Sequence, residues 1–92
     1  MLKRIIVFGG SGFLGSHVAD TLTEKGFDVA IYDRTKSSYL RSGQEMIIGD
    51  ILDEKLVSEA IQGCDIVYNF AGMADIEEAM QKPMETVKAN IL

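Results

Sequence analysis

The chain has 92 residues, enough for one small domain and not two. Its apolar fraction of 47% and charged fraction of 25% are ordinary globular values, and it carries no repeat, low-complexity tract or linker. A net charge of −5 argues against a general nucleic-acid or anionic-membrane surface, and the apolar runs are too short to span a bilayer.

Residues 4–8, Arg4-Ile5-Ile6-Val7-Phe8, predict a first strand that is apolar on both faces, as a central parallel strand should be. They run straight into Gly9-Gly10-Ser11-Gly12-Phe13-Leu14-Gly15. Strand, glycine turn and helix in this order give the geometry of a dinucleotide pyrophosphate site. Gly9 allows the tight turn, Gly12 lets the backbone approach phosphate, and Gly15 lets the helix lie close to the strand. Phe13 and Leu14 belong to the same turn. The new helix aims unpaired N–H groups and its positive dipole end at the anion. That helix is expected over residues 12–25, with Phe13, Leu14, Val18 and Leu22 on one face and Gly26 as C-cap.

Residues 27–32 predict a second strand ending at Asp33. Asp33 follows the glycines at the fingerprint spacing of roughly 20 residues, where a strand-end carboxylate accepts from adenosine ribose hydroxyls and repels a 2′-phosphate. A solvated turn aspartate is the alternative. Arg34 adjoins it and points instead to NADP, but Asp33 sits nearest the strand end, so NAD is the expected cofactor. Residues 34–44 are polar, a loop or a poor helix, and residues 45–48 form a short third strand leading to Gly49-Asp50. Asp50, with Ile51, lies at the carboxyl edge of the sheet, where ligands bind. It either accepts from an adenine amino group or pairs with the neighbouring helix. Asp53 caps a helix through about Gln62, with Leu56, Val57, Ala60 and Ile61 inward and Gly63 ending it. Residues 65–71 predict the fourth strand. Ala71, Gly72 and Met73 end it beside the glycine turn, small enough to leave room for a ligand and equally suited to a tight strand exit. A polar helical stretch follows, and Pro83 suits the first turn of a last helix.

This alternation predicts an α/β fold, a Rossmann-like, partial doubly wound parallel sheet with strand order 3-2-1-4 and right-handed crossovers, spanning 1–92 as a single NAD(P)-binding segment. The acidic balance does not oppose NAD, whose phosphates are met by local backbone dipoles. His17 is a surface or phosphate-rim histidine, Cys64 an inert thiol before a buried strand, and the methionines core filler or fragment-edge surface rather than a cofactor box. Tyr32 and Lys36 match Tyr-x-x-x-Lys, the pair used by short-chain dehydrogenases. That chemistry needs both side chains on one helix face, whereas Tyr32 falls in a strand and Lys36 in the loop after it. The pair is assigned no catalytic role. One cysteine and no signal-peptide pattern predict a reducing cytoplasm, with no metal.

Phe8-Gly9-Gly10-Ser11-Gly12-Phe13-Leu14-Gly15-Ser16-His17, Tyr32-Asp33-Arg34, Gly49-Asp50-Ile51-Leu52-Asp53, Asn69-Phe70-Ala71-Gly72 and the closing Pro83 to Leu92 together resemble the N-terminal part of extended short-chain dehydrogenases/reductases. These form the NAD-dependent epimerase/dehydratase family, many of whose members act on nucleotide sugars. The resemblance covers essentially the whole chain. It implies that Gly9, Gly12 and Gly15 hold pyrophosphate, Asp33 holds ribose, Asp50 and Ile51 face adenine, and Ala71 lies beside the ribose of the nicotinamide half. Phe8 stands where the family usually has Thr or a small residue, and Asn69-Phe70-Ala71-Gly72 where it has a His-Leu-Ala-Ala-like run. By the same resemblance Asn90 opens an Asn-x-x-Gly-Thr helix, and the catalytic Ser/Thr and Tyr-x-x-x-Lys lie beyond Leu92.

The leading expectation is therefore an NAD-binding segment of a longer nucleotide-sugar epimerase or dehydratase, inactive alone. A non-catalytic NAD(P)-sensing module and a ligand-free structural fragment are the alternatives. The fourth strand is expected at an open edge, apolar and unprotected by Lys or Pro. That edge predicts a homo-oligomer, as a symmetric dimer through this strand or the last helix.

Overall fold

The computed structural model describes residues 3–71 and the backbone of residues 85–88. The chain alternates strand and helix. β1 (Arg4–Phe8) leads into α1 (Phe13–Glu24), then β2 (Asp28–Asp33) and β3 (Gln44–Ile48). α2 (Glu54–Ile61), β4 (Ile66–Asn69) and β5 (Glu85–Lys88) follow. All strand pairs are parallel, in the order β3-β2-β1-β4-β5.

β1 lies in the middle of the sheet, and its alternation sorts the core into two layers. Ile5 and Val7 face one side with Val29, Ile31, Ala19 and Leu22. Ile6 and Phe8 face the other with Ala30, Tyr32, Val57, Ile61, Cys64 and Val67. Neighbouring β2 repeats the pattern, so α1 covers one face and α2 the other. A parallel strand apolar at every position is the sequence consequence of being covered twice. On the second side the Phe8 and Tyr32 rings meet at 4.9 Å, tilted by 45°.

Helix boundaries follow from local chemistry. Asp53 caps α2, its carboxylate accepting from the Leu56 N–H at 3.1 Å. α1 ends where Gly26 takes φ +91, the left-handed conformation that favours glycine, and donates its N–H to the Thr23 carbonyl. Residues 34–43 form a loop of turns and bends, without a helix.

Two expectations need correction. The buried face of α1 is Gly15, Ser16, Ala19 and Leu22, while Phe13 and Leu14 are exposed at 71% and 37%. Small residues win this face because they let the helix lie close to the sheet. The expected last helix is replaced over Glu85–Lys88 by β5, which pairs with β4 from Ile66↔Glu85 to Asn69↔Lys88. Thr86 and Val87 are β-branched and suit a strand. The bare edge of β4 supplies a ready template, so β4 is not an edge strand. The observed sheet keeps the order 3-2-1-4 and adds a fifth member. The expected helical stretch before Pro83, together with Gly72 and Met73, lies outside the described residues.

Candidate functional site

The order of the sheet reverses at β1. From β1 the chain steps outward to β2 and β3, then returns to β4 on the opposite side. The crevice outside the carboxyl ends of the strands at such a reversal is where open α/β sheets bind ligands. A cavity of about 480 Å³ opens there. Gly9 follows β1, Asp33 ends β2 and Arg34 follows it, Asp50 and Ile51 follow β3, and Ala71 follows β4; all six line it. Tyr32, Gly49 and Leu52 complete its wall.

The glycine turn is held by short-range sterics. Gly9 has φ +77 and donates its N–H to the Tyr32 carbonyl at 2.9 Å. A Cβ on Gly9 would lie 3.1 Å from the Ala71 nitrogen, so the turn rests directly against the exit of β4. A Cβ on Gly15 would lie 2.3 Å from the Gly9 carbonyl oxygen, which cannot yield because it is backbone. Gly12 differs. Among the described residues a Cβ there would meet only the Gly9 oxygen, at an ordinary 3.6 Å, and its φ of −73 is open to any residue. Gly12 therefore keeps its outer side clear without being required by the fold.

Gly12 is also the N-cap of α1 and has no side chain to offer as a cap. The first turn of α1 contains no acidic residue. Ser16 is the first amide to find an acceptor in the helix, the Gly12 carbonyl at 2.9 Å. The amides of Phe13, Leu14 and Gly15 precede it and face outward at the dipole's positive end. The Phe13 and Leu14 side chains do not line the cavity, and the Phe13 ring stands edge-on to exposed His17 at 4.6 Å.

Asp33 is fixed from two directions. One carboxylate oxygen accepts the Ser11 N–H at 3.0 Å, and the other accepts the Arg34 N–H at 2.7 Å. The Ser11 hydroxyl donates to the Thr35 carbonyl at 2.7 Å. The glycine turn and the end of β2 are thus laced together. At β4, the Ala71 N–H donates to the Asn69 side-chain oxygen at 3.0 Å, which shapes the strand exit.

The wall formed by residues 49–52 rests on Tyr32. The Tyr32 hydroxyl donates to the Asp50 carbonyl at 2.7 Å, and its ring is buried. Burial pushes the phenol above its ordinary value, and the charges of Asp53 and Asp50 add to the effect. Lys36 lies exposed in the loop after β2. Tyr32 is thus a buried anchor in β2, and Lys36 a solvated cation in the loop that follows. Tyr32, Gly49, Leu52 and Ser11 were not singled out from the sequence as site residues. Ser11 sits inside the glycine fingerprint, which was the available signal. Leu52 is 60% exposed, an unusual position for leucine that the sequence does not flag.

Among the described residues no helix is long and apolar enough to cross a membrane. Cys64 is buried, its thiol pushed up by burial and donating to the Ala60 carbonyl.

A parallel sheet in this order, with a glycine turn at its reversal and helices on both faces, is a Rossmann fold. Residues 5–92 match the NAD dependent epimerase/dehydratase family. The chain belongs to that family, whose cofactor is NAD. It is 33% identical to the UDP-N-acetyl-alpha-D-glucosaminuronate decarboxylase of Bacillus cytotoxicus, over 98% of this chain and 30% of that protein. It is 34% identical to the UDP-glucose 4-epimerase of Schizosaccharomyces pombe, over 95% of this chain and 28% of that protein. The crystal structure of UDP-glucose 4-epimerase from Brucella ovis in complex with NAD superposes with a TM-score of 0.68 at 32% identity, covering 74% of this chain and 22% of that one. The chain thus spans less than a third of the length of these relatives.

Proposed function

We propose that the chain holds NAD along the carboxyl edge of its sheet, as the N-terminal cofactor-binding segment of a nucleotide-sugar epimerase or dehydratase. The observation that carries this reading is the hydrogen bond from Ser11 to Asp33 at 3.0 Å. It joins a phosphate-type turn and a ribose-type carboxylate into one unit beside a single cavity.

The residues fit the group. An anion at the start of α1 meets amide donors and no competing carboxylate within the first turn. The clear side of Gly12 leaves room for pyrophosphate. Asp33 takes the adenosine ribose hydroxyls, Asp50 and Ile51 bound the adenine, and Ala71 lies beside the second ribose. Gly72, outside the described residues, is assigned to the same end. Arg34 stands at the adenosine rim, where it would favour a 2′-phosphate if Asp33 did not oppose one.

Bound NAD supplies a hydride acceptor. The Tyr32 hydroxyl is committed to the Asp50 carbonyl, so proton transfer to or from a sugar is assigned to other parts of the protein. The UDP-sugar names of the relatives support a nucleotide sugar as the substrate of the whole protein. A reducing cytoplasm is the proposed compartment, in keeping with one buried thiol. The proposed homo-oligomer forms through the outer edge of β5, now that β4 is covered.

Isothermal calorimetry of the chain with NAD tests the reading. One NAD should bind per chain, and Gly12→Val should bind none. A wild-type chain that folds cooperatively and gives no heat with NAD would overturn it.

A further inference from the structure

The turn after β3 is internally complete. The Asp50 carbonyl accepts the Asp53 N–H at 3.0 Å, the Asp50 carboxylate accepts the Leu52 N–H at 2.9 Å, and Asp53 caps α2. These bonds fix the shape of the turn but not its distance from β2. Two other bonds set that distance. The Gly49 N–H donates to the Asp33 carbonyl at 3.0 Å, just ahead of the turn. The Tyr32 hydroxyl donates to the Asp50 carbonyl at 2.7 Å, within it.

Tyr32 is suited to set a distance. It is among the largest fully buried side chains, packed on Phe8, and cannot swing without opening the core. Gly49 closes over it so tightly that a Cβ there would lie 2.6 Å from the Tyr32 hydroxyl oxygen. The phenol is therefore a strut of fixed length from the sheet to the turn. On one side of the cavity stand Asp33 and Arg34; on the other stand Asp50, Ile51 and Leu52.

We propose that Tyr32 is a positioning residue for the adenine end of the cofactor site, setting through the Asp50 carbonyl the gap into which the base fits. This rests on the NAD-binding reading above. Tyr32 borders the cavity but is only 1% exposed, touches no reacting atom and acts on the base through the turn. Removing its hydroxyl leaves the Asp50 carbonyl bonded to the Asp53 N–H, so no buried acceptor is orphaned and the fold survives.

Tyr32→Phe keeps the ring and deletes the strut. By calorimetry its affinity for NAD should fall roughly fivefold, and its affinity for ADP by the same factor. Hydrogen exchange should speed up at the Leu52 and Asp53 amides and stay unchanged at β1. Tyr39→Phe, at an exposed position outside the cavity, should match wild type in both measurements. A merely structural tyrosine would raise exchange throughout the sheet and leave the affinity of the folded protein intact. Wild-type binding of NAD with an unchanged affinity in Tyr32→Phe overturns the proposal alone. Weaker NAD binding with unchanged ADP binding also overturns it, because the effect would lie away from the base. Failure of wild type to bind NAD at all sinks the cofactor reading, and this proposal with it.

Discussion

The Ser11 amide and the Asp33 carboxylate meet at 3.0 Å, although 22 residues separate them. The bond closes the βαβ unit at its top. It means that the group proposed to select the cofactor also braces the turn proposed to bind its phosphates. Asp33 still has lone pairs to offer, because among the described residues each oxygen accepts one amide.

Cofactor choice follows from that carboxylate. With both oxygens held by backbone amides, Asp33 cannot easily rotate away from a 2′-phosphate. NAD should bind the chain at least roughly tenfold more tightly than NADP, the factor one close charge repulsion supplies. Asp33→Ser should narrow the gap, leaving Arg34 unopposed. Equal affinities in wild type, by calorimetry, would show that Arg34 governs the rim.

Two glycines of one fingerprint should fail differently. Gly15→Ala places a methyl 2.3 Å from a backbone oxygen, and overpacking of that kind costs about 3 kcal/mol. Gly12→Val meets only an ordinary contact, and its stability should stay within about 1 kcal/mol of wild type. Gly12→Val should nevertheless lose NAD, because its side chain fills the approach to the helix start. Urea unfolding and NAD titration on both variants check the pair. A destabilised Gly12→Val beside a stable Gly15→Ala would invert the assignment.

Alkaline stability should report on Tyr32. Its folded phenol is raised above 10.0, chiefly by burial and then by the charges of Asp53 and Asp50. The folded state therefore holds that proton more tightly than the unfolded chain. The resulting stability is complete below pH 10 and is lost as pH rises through the folded value. Wild type should lose urea resistance more steeply above pH 10 than Tyr32→Phe does. Parallel pH profiles would show that the phenol titrates normally.

Association should run through β5. That strand closes the outer side of β4 and, among the described residues, pairs with no further strand. Light scattering on the 92-residue chain, its mass verified, should show a dimer at micromolar concentration. A soluble monomer that unfolds cooperatively would show that this edge is shielded.

Six elements and the glycine turn were legible in the sequence because their signals are local. Apolar runs, a capping Asp53 and a terminating Gly26 each act within a few residues. The burial of α1 was misread because helix periodicity sees Phe13 and Leu14 as apolar. It does not see that a helix pressed onto a glycine turn needs small residues at its contact. β5 was missed because pairing with β4 is a long-range choice that four residues of sequence do not announce. The tie of Tyr32 to Asp50 is invisible in the sequence. That contact spans 18 residues and depends on Gly49 leaving space for the phenol.

The two helices begin differently, and the contrast reaches beyond binding. α2 is sealed by its own aspartate, whereas α1 opens on a glycine with nothing to give. Among the described residues, no side chain caps the first amides of α1. A dinucleotide that docks there belongs to the folded state and has no counterpart in the unfolded chain. At a free concentration of 100 times Kd it adds about 2.7 kcal/mol to stability, a large share of the net stability of a typical domain. The protein's lifetime in a cell would then track its supply of cofactor: abundant dinucleotide would shield it from proteolysis, and depletion would hasten its clearance.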